Sequence, residues 1–268
     1  MPQNVSILGC GWLGFPLAVS LIKKGYTIKG TTTSSGKLST LSQAGILPFL
    51  ISVSEVKVQG DMTLFLEDSS MLIINIPPKM RENAAEKFSK KISLLIPYIE
   101  KSSVTKVIFV SSTSVYGNSM EVITEDTPPN PETETGKELV ISENMLRKNS
   151  SFKTTILRFG GLIGGDRHPV TYLAGRTNLK DAQAPVNLIH REDCILILIE
   201  ILKQDAFGTI FNAVNPNHPK KSDYYIQKAK EMGLQPPTFA KADSNEIYKQ
   251  VDSENLKSVL NYSFKTSI

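Results

Sequence analysis

The stretch VSILGCGWLG, from Val5 to Gly14, decides how the rest of the chain is read. A short apolar run stops at Gly9, and Gly11 and Gly14 follow at the spacing G-x-G-x-x-G. FPLAVSLIKKG then opens as a helical pattern that closes at Gly25, so the glycines sit between a strand and a helix. In that context each glycine has a separate task. Gly9 permits the tight turn, Gly11 lets the backbone approach a diphosphate, and Gly14 lets the helix pack close to the strand. Backbone N–H groups at the helix start then face the anion. Trp12 and Leu13 lie where side chains cover the loop. The spacing predicts a dinucleotide cradle; the alternative is a turn that only bends the chain.

Outward from this loop, strand and helix patterns alternate. YTIKGTTT is β-branched and strand-like, SGKLSTLSQAG is a short helix, and ILPFLIS is a further strand. MLIINIPP is an apolar run stopped by two prolines and suits a central parallel strand, buried on both faces. RENAAEKFSKKISLLIPYIEKS carries apolar residues at Ala85, Phe88, Ile92, Leu95 and Ile99, which predicts one long helix from Arg81. VTKVIFVSSTSVYG runs from strand into polar loop, TEDTPPNPETETG is an exposed loop, KELVISENMLRK is a helix, and KTTILRFGGLIGG is a strand into a glycine-rich loop. The expected fold class is α/β, a Rossmann-type doubly wound parallel sheet with a small C-terminal substrate or cap region. Residues 1–165 form the dinucleotide-binding domain in this reading. Residues 166–268 form a mixed cap that returns one strand, about 209–214, to the main sheet. DRHPVTYLAG and PVNLIHRED read as loop or short strand, with a helix following from Cys194.

Composition narrows the class. The chain has 268 residues, 40% hydrophobic and 21% charged, which suits an ordinary globular protein with one large core or one large and one small. Its net charge of +4 comes from lysines interleaved with acids, the pattern of a solvated surface and not of a nucleic-acid-binding face. The two cysteines, Cys10 and Cys194, have no metal-ligand spacing and no disulfide framework, so no metal is expected and a reducing compartment is. With neither a signal-peptide pattern nor a membrane-spanning run (ILILIEIL at 195–202 is broken by Glu200), the expected location is cytoplasmic, away from membranes.

The end of the second strand bears on which dinucleotide is held. An acid about 20 residues beyond the loop would bind a ribose 2′-hydroxyl and favour NAD. Here the sequence is KGTTTSSGK, without an acid from Lys29 to Lys37. Thr32, Thr33, Ser34 and Lys37 suit a 2′-phosphate, so the expected cofactor is NADP, with NAD as the alternative. The same hydroxyls could instead cap a helix.

VIFVSSTSVYG, taken with the glycine loop, resembles the extended branch of the short-chain dehydrogenase/reductase superfamily, the NAD(P)-dependent nucleotide-sugar epimerases and dehydratases. EDTPPNPET resembles the stretch before that family's catalytic helix, LRFGGLIGG the loop that closes over the nicotinamide, and NLIHRED the start of the second half. The resemblance spans most of the chain and weakens after about residue 215. It implies cofactor contacts from Ile76 and Pro77 beside the nicotinamide ribose and from Ser111, and a substrate-polarising hydroxyl at Ser112. It also implies a possible homodimer through the helices starting at Arg81 and near Gly136.

The family's Tyr-x-x-x-Lys pair falls on Thr135 and Leu139. A threonine is a far weaker acid than a phenol, and leucine cannot polarise it. Thr133 and Lys137 keep the spacing of four, but two residues along a helix turn the pair by about 200°. Tyr116 is a candidate replacement acid. Arg158, at a strand end, and His190 are candidate substrate contacts; the alternatives are a buried carboxylate partner for Arg158 and a local loop bond for His190. Two functions therefore stay open. One is an oxidoreductase or epimerase of atypical mechanism, acting on a small carbonyl or sugar-derived substrate. The other is a catalytically inactive dinucleotide-binding protein with a regulatory or redox-sensing role.

Overall fold

The computed structural model describes residues 3–78, 80–81, 84–85, 87–119, 121–241 and 247–268. In chain order the elements of the first half are β1 (Asn4–Leu8), α1 (Gly14–Ile22), β2 (Thr27–Thr32), α2 (Leu38–Gln43), β3 (Leu47–Leu50), β4 (Ser52–Val53), β5 (Val58–Gln59), α3 (Met62–Leu66), β6 (Met71–Ile74), β7 (Met80–Arg81), β8 (Ala84–Ala85), α4 (Phe88–Glu100) and β9 (Lys106–Ser112). The second half holds α5 (Glu134–Arg147), β10 (Lys153–Phe159), β11 (Gly161–Ile163), α6 (Val170–Leu173), β12 (Leu188–His190), α7 (Arg191–Lys203), β13 (Ile210–Ala213), α8 (Lys221–Glu231) and α9 (Glu254–Ser258).

Seven strands form one sheet in the order β13-β10-β9-β6-β1-β2-β3. Every neighbouring pair in it is parallel. This is the doubly wound α/β sheet that the sequence predicts. The order reverses between β1 and β6, and the crevice at that switch point is where open sheets of this kind bind ligands.

The central strands are mainly apolar because both faces are covered. Side chains alternate along a strand, so Val5, Ile7, Met71 and Ile73 enter one core with α1 and α7, through Leu17, Leu21, Ile197 and Leu198. Leu8, Leu72 and Ile74 enter the other, under Phe65 of α3, Phe88 and Ile92 of α4, and Leu139 of α5. Ser6 is the fully buried polar residue of β1, and its hydroxyl is satisfied by the Phe65 carbonyl at 2.7 Å and the Ser69 hydroxyl at 2.8 Å. A third, smaller cluster joins Ile163, Val170, Leu188, Tyr224 and Tyr225 from β11, α6, β12 and α8.

Several boundaries differ from the sequence pattern. The long helix begins at Phe88; Ala84–Ala85 pairs antiparallel with Met80–Arg81, and residues 82, 83 and 86 of the expected helix lie outside the described residues. α5 starts at Glu134, because the Thr133 hydroxyl accepts the Gly136 N–H at 3.1 Å and caps it. α7 starts at Arg191 rather than at Cys194, with His190 as its cap. DRHPVTYLAG contains a single helical turn, α6.

Candidate functional site

The glycine loop is pinned from both sides. The Gly9 N–H donates to the Thr31 hydroxyl at 2.8 Å and the Cys10 N–H to the Thr31 carbonyl at 2.9 Å, which ties the loop to β2. From the β6 side the Asn75 amide donates to the Gly9 carbonyl at 2.9 Å. Gly9 has φ +109°, a left-handed conformation that favours glycine. A Cβ on Gly14 would lie 2.1 Å from the Gly9 carbonyl oxygen, so α1 can start this close to the turn only with glycine there. Over Gly11 a Cβ would meet nothing within 4 Å. The N–H groups of Gly11, Trp12 and Leu13 meet no acceptor among the described residues. Three unpaired donors at a helix start, beneath open space, fit a diphosphate.

A cleft of about 640 Å³ extends from this loop along the ends of β1, β2, β3 and β6. Of the residues read from sequence, Gly9, Gly11, Thr32, Thr33, Lys37, Ile76 and Pro77 line it. Trp12 and Leu13 turn inward against the α1–α7 core, and Leu13 is buried. Ser34 stands exposed outside the lining; its N–H donates to the Thr32 hydroxyl at 3.1 Å and its own side chain caps nothing. Cys10 lines the cleft, but burial pushes its thiol up to about 12, so it stays protonated at neutral pH. Asn75, Thr31 and the buried Lys91 also belong to this wall and were not singled out by sequence. Asn75 had a signal, since it is the polar residue that interrupts MLIINIPP.

The side chains expected to carry chemistry are largely occupied elsewhere. Ser111 is buried and donates to Glu143 at 2.6 Å. Arg158 is 2% exposed and forms a two-pronged pair with Glu143, Nε to Oε1 at 3.1 Å and Nη2 to Oε2 at 2.6 Å. Its third nitrogen, Nη1, donates to the Tyr116 hydroxyl at 2.6 Å. Of the two readings of Arg158, the buried carboxylate partner is the one present. Burial pulls its guanidinium down, but the bond and charge of Glu143 outweigh that and raise it. Tyr116 is itself buried, with the Asn212 amide oxygen at 2.9 Å and the Thr124 carbonyl at 3.2 Å. Burial raises its phenol against the opposing pull of Arg158, which makes it a weaker acid than a free tyrosine. Together these residues lock β9, β10, β13 and α5 beneath the site.

Ser112 remains at the end of β9, half-buried, with its hydroxyl accepting the Ser114 N–H at 3.1 Å. His190 accepts the Glu192 N–H at 3.3 Å, the local bond that the sequence offered as the alternative to a substrate contact. Leu139 is 2% exposed in the core, and Thr135 is half-buried in the first turn of α5. Lys137 is paired on the surface with Glu134 at 2.6 Å.

A second cleft, about 470 Å³, opens between β12, α8 and the segment after β9, bounded by Asn118, Asn187, Lys221, Tyr225 and Lys249. Lys249 comes from the weakly patterned tail and had no sequence signal. Its ammonium donates to the carbonyls of Thr113 at 3.2 Å and Tyr116 at 2.9 Å, immediately after Ser112. Burial lowers its pKa, with Glu132 acting in the opposite sense.

The parallel sheet, its switch-point crevice and the glycine loop define a Rossmann-type doubly wound α/β fold. Among solved structures, MoeE5 in complex with UDP-glucose and NAD superposes with a TM-score of 0.81 at 17% identity, over 99% of this chain and 95% of that one. The UDP-glucose 4-epimerase of Thermotoga maritima, solved with UDP-glucose, gives 0.80 at 18% identity over 99% and 92%. No protein-family model matches the chain. The chain belongs to the family of Protein YeeZ of Escherichia coli K12, to which it is 32% identical over 264 residues, 98% of this chain and 96% of the relative.

Proposed function

We propose that this protein binds a nicotinamide dinucleotide, NADP in preference to NAD, and uses it on a small carbonyl or sugar-derived substrate by a mechanism without the usual tyrosine–lysine pair. The observation that carries the reading is the set of free N–H groups at Gly11, Trp12 and Leu13 beside the cleft of about 640 Å³ that Gly9 and Gly11 line. Thr32, Thr33 and Lys37 line its far end, where a 2′-phosphate would meet a cation and no carboxylate. The fold neighbour MoeE5 was solved with NAD; the preference for NADP rests on Lys37 and on the missing acid.

In this reading Ser112 orients a substrate carbonyl, and the second cleft, beside Lys249, receives the substrate. A second reading, binding without turnover, is favoured by the burial of Leu139 and by Thr135 where a phenol is expected. The homodimer reading attaches to α4 and α5, which pack together and leave Tyr98 and Ile141 exposed. No helix among the described residues is long and apolar enough to cross a membrane, and we place the protein in the cytoplasm.

Fluorescence titration with NADPH and NADH tests the cofactor, with tighter NADPH binding expected; tighter NADH binding contradicts the role of Lys37. Cofactor oxidation across a panel of sugars and ketones then separates the two readings. Binding with no oxidation throughout selects the inactive one.

A further inference from the structure

Two arginines from the second half of the chain converge on the glycine loop. The Arg167 guanidinium lies over the Trp12 ring at 5.2 Å from its centroid, and that of Arg191 at 5.1 Å. Neither guanidinium has a carboxylate within ion-pair distance among the described residues. Two guanidinium charges share one indole with no carboxylate within ion-pair distance of either, so an anion placed between them would be attracted by both. The Trp12 indole N–H is shielded from solvent and has no acceptor among the described residues, which adds one more unused donor.

The turn between β11 and Arg167 is shaped to make this meeting possible. Gly164 and Gly165 both adopt positive φ, +117° and +63°. A Cβ on Gly164 would stand 2.6 Å from His190 Nε2, and one on Gly165 would stand 3.1 Å from the Arg191 guanidinium. The Gly164 N–H donates to the Arg167 carbonyl at 2.9 Å, which closes the turn and returns Arg167 toward the loop.

Resting on the dinucleotide reading above, we infer that Arg167 and Arg191 clamp the diphosphate of the bound dinucleotide against the Trp12 end of the glycine loop. The charge count matches: a diphosphate bridge carries two negative charges, and guanidinium forks suit its paired oxygens. Leu139 stands where the family resemblance puts a ribose-holding lysine, so this clamp moves side-chain retention of the cofactor from the ribose to the diphosphate.

The test is calorimetry with ADP-ribose and NADPH on the full chain, its Arg167→Met and Arg191→Met variants and the double variant. ADP-ribose carries the diphosphate but neither nicotinamide nor 2′-phosphate. Arg191→Met is expected to weaken both ligands by the same factor, about tenfold to a hundredfold, from the usual strength of a charged hydrogen bond. Arg167→Met should cost less, since Arg167 is exposed. Raising the salt concentration should weaken ADP-ribose binding less steeply in the double variant than in the wild type, a difference that lost Trp12 packing alone would not produce. If Arg191→Met melts early, Arg191→Gln takes its place with the same two readings. Wild-type affinity and an unchanged salt slope in the double variant overturn the clamp while leaving the dinucleotide reading intact. Failure of the wild-type chain to bind either ligand overturns both.

Discussion

The end of β1 and the inner face of α5 are built from different materials. At β1 the groups that would meet a ligand are backbone amides, and side chains enter mainly by being absent, as at Gly9, Gly11 and Gly14. Along α5 the inner face consists of side chains: Leu139 and Leu146 pack into the core, and Glu143 answers Arg158. A backbone-made site persists as long as the fold and a few glycines do. A side-chain-made site is rewritten by two substitutions that the core accepts. That difference accounts for a chain that holds the glycine turn and its open N–H groups while Leu139 stands where the resemblance expects a lysine.

If α5 is structural, disturbing it should cost stability before it costs binding. The largest effect is expected from Arg158→Met, which leaves the Glu143 carboxylate buried without its cation. The expected loss is about 3–5 kcal/mol in urea denaturation. A loss below about 1 kcal/mol would show that water or another donor replaces the arginine. Leu139→Ala comes next, with about 2–5 kcal/mol lost through the cavity it leaves, while NADPH affinity of the folded fraction stays unchanged. Weakened NADPH binding by a stably folded Leu139→Ala would contradict the division between the two regions.

The smallest effect lies between α6 and α8, away from both. The His168 Nδ1 accepts the Val170 N–H at 3.1 Å, and Nε2 faces the Tyr224 hydroxyl at 3.0 Å. Burial, and then the nearby Lys228, lower its pKa below 6.5. The folded state therefore favours the neutral ring, and the unfolded chain binds the proton more readily. This contribution is fully present above pH 6.5 and is lost as pH falls through the region below it. Melting temperature measured from about pH 8 to about pH 5 should fall more steeply for the wild type than for His168→Gln. Equal slopes would remove His168 from the account.

The sheet was legible because central parallel strands need apolar residues on both faces, and β6 and most of β1 and β9 supply them. The glycine turn was legible because the positive φ at Gly9 and the close approach at Gly14 require glycine, which a sequence displays directly. The Arg158–Glu143–Tyr116 network was not, since Glu143 stands 15 residues from Arg158 and Tyr116 stands 42 away. Nothing local marks such partners. Lys249 and Arg167 escaped for the same reason: each acts on atoms brought to it by the fold. The start of α4 failed in another way. Apolar spacing continued through Ala85, but that residue pairs as a strand with Met80.

The most direct test of the central claim is calorimetry of NADPH binding to the wild type and to Gly11→Val. A Cβ at Gly11 meets nothing in the protein, so the variant should fold with an unchanged melting temperature. Its added side chain would occupy the approach to the free N–H groups. The account predicts clear heat with the wild type and at least about a hundredfold weaker binding with the variant. Equal NADPH affinity in the two proteins, or no heat from the wild type with either dinucleotide, would contradict it.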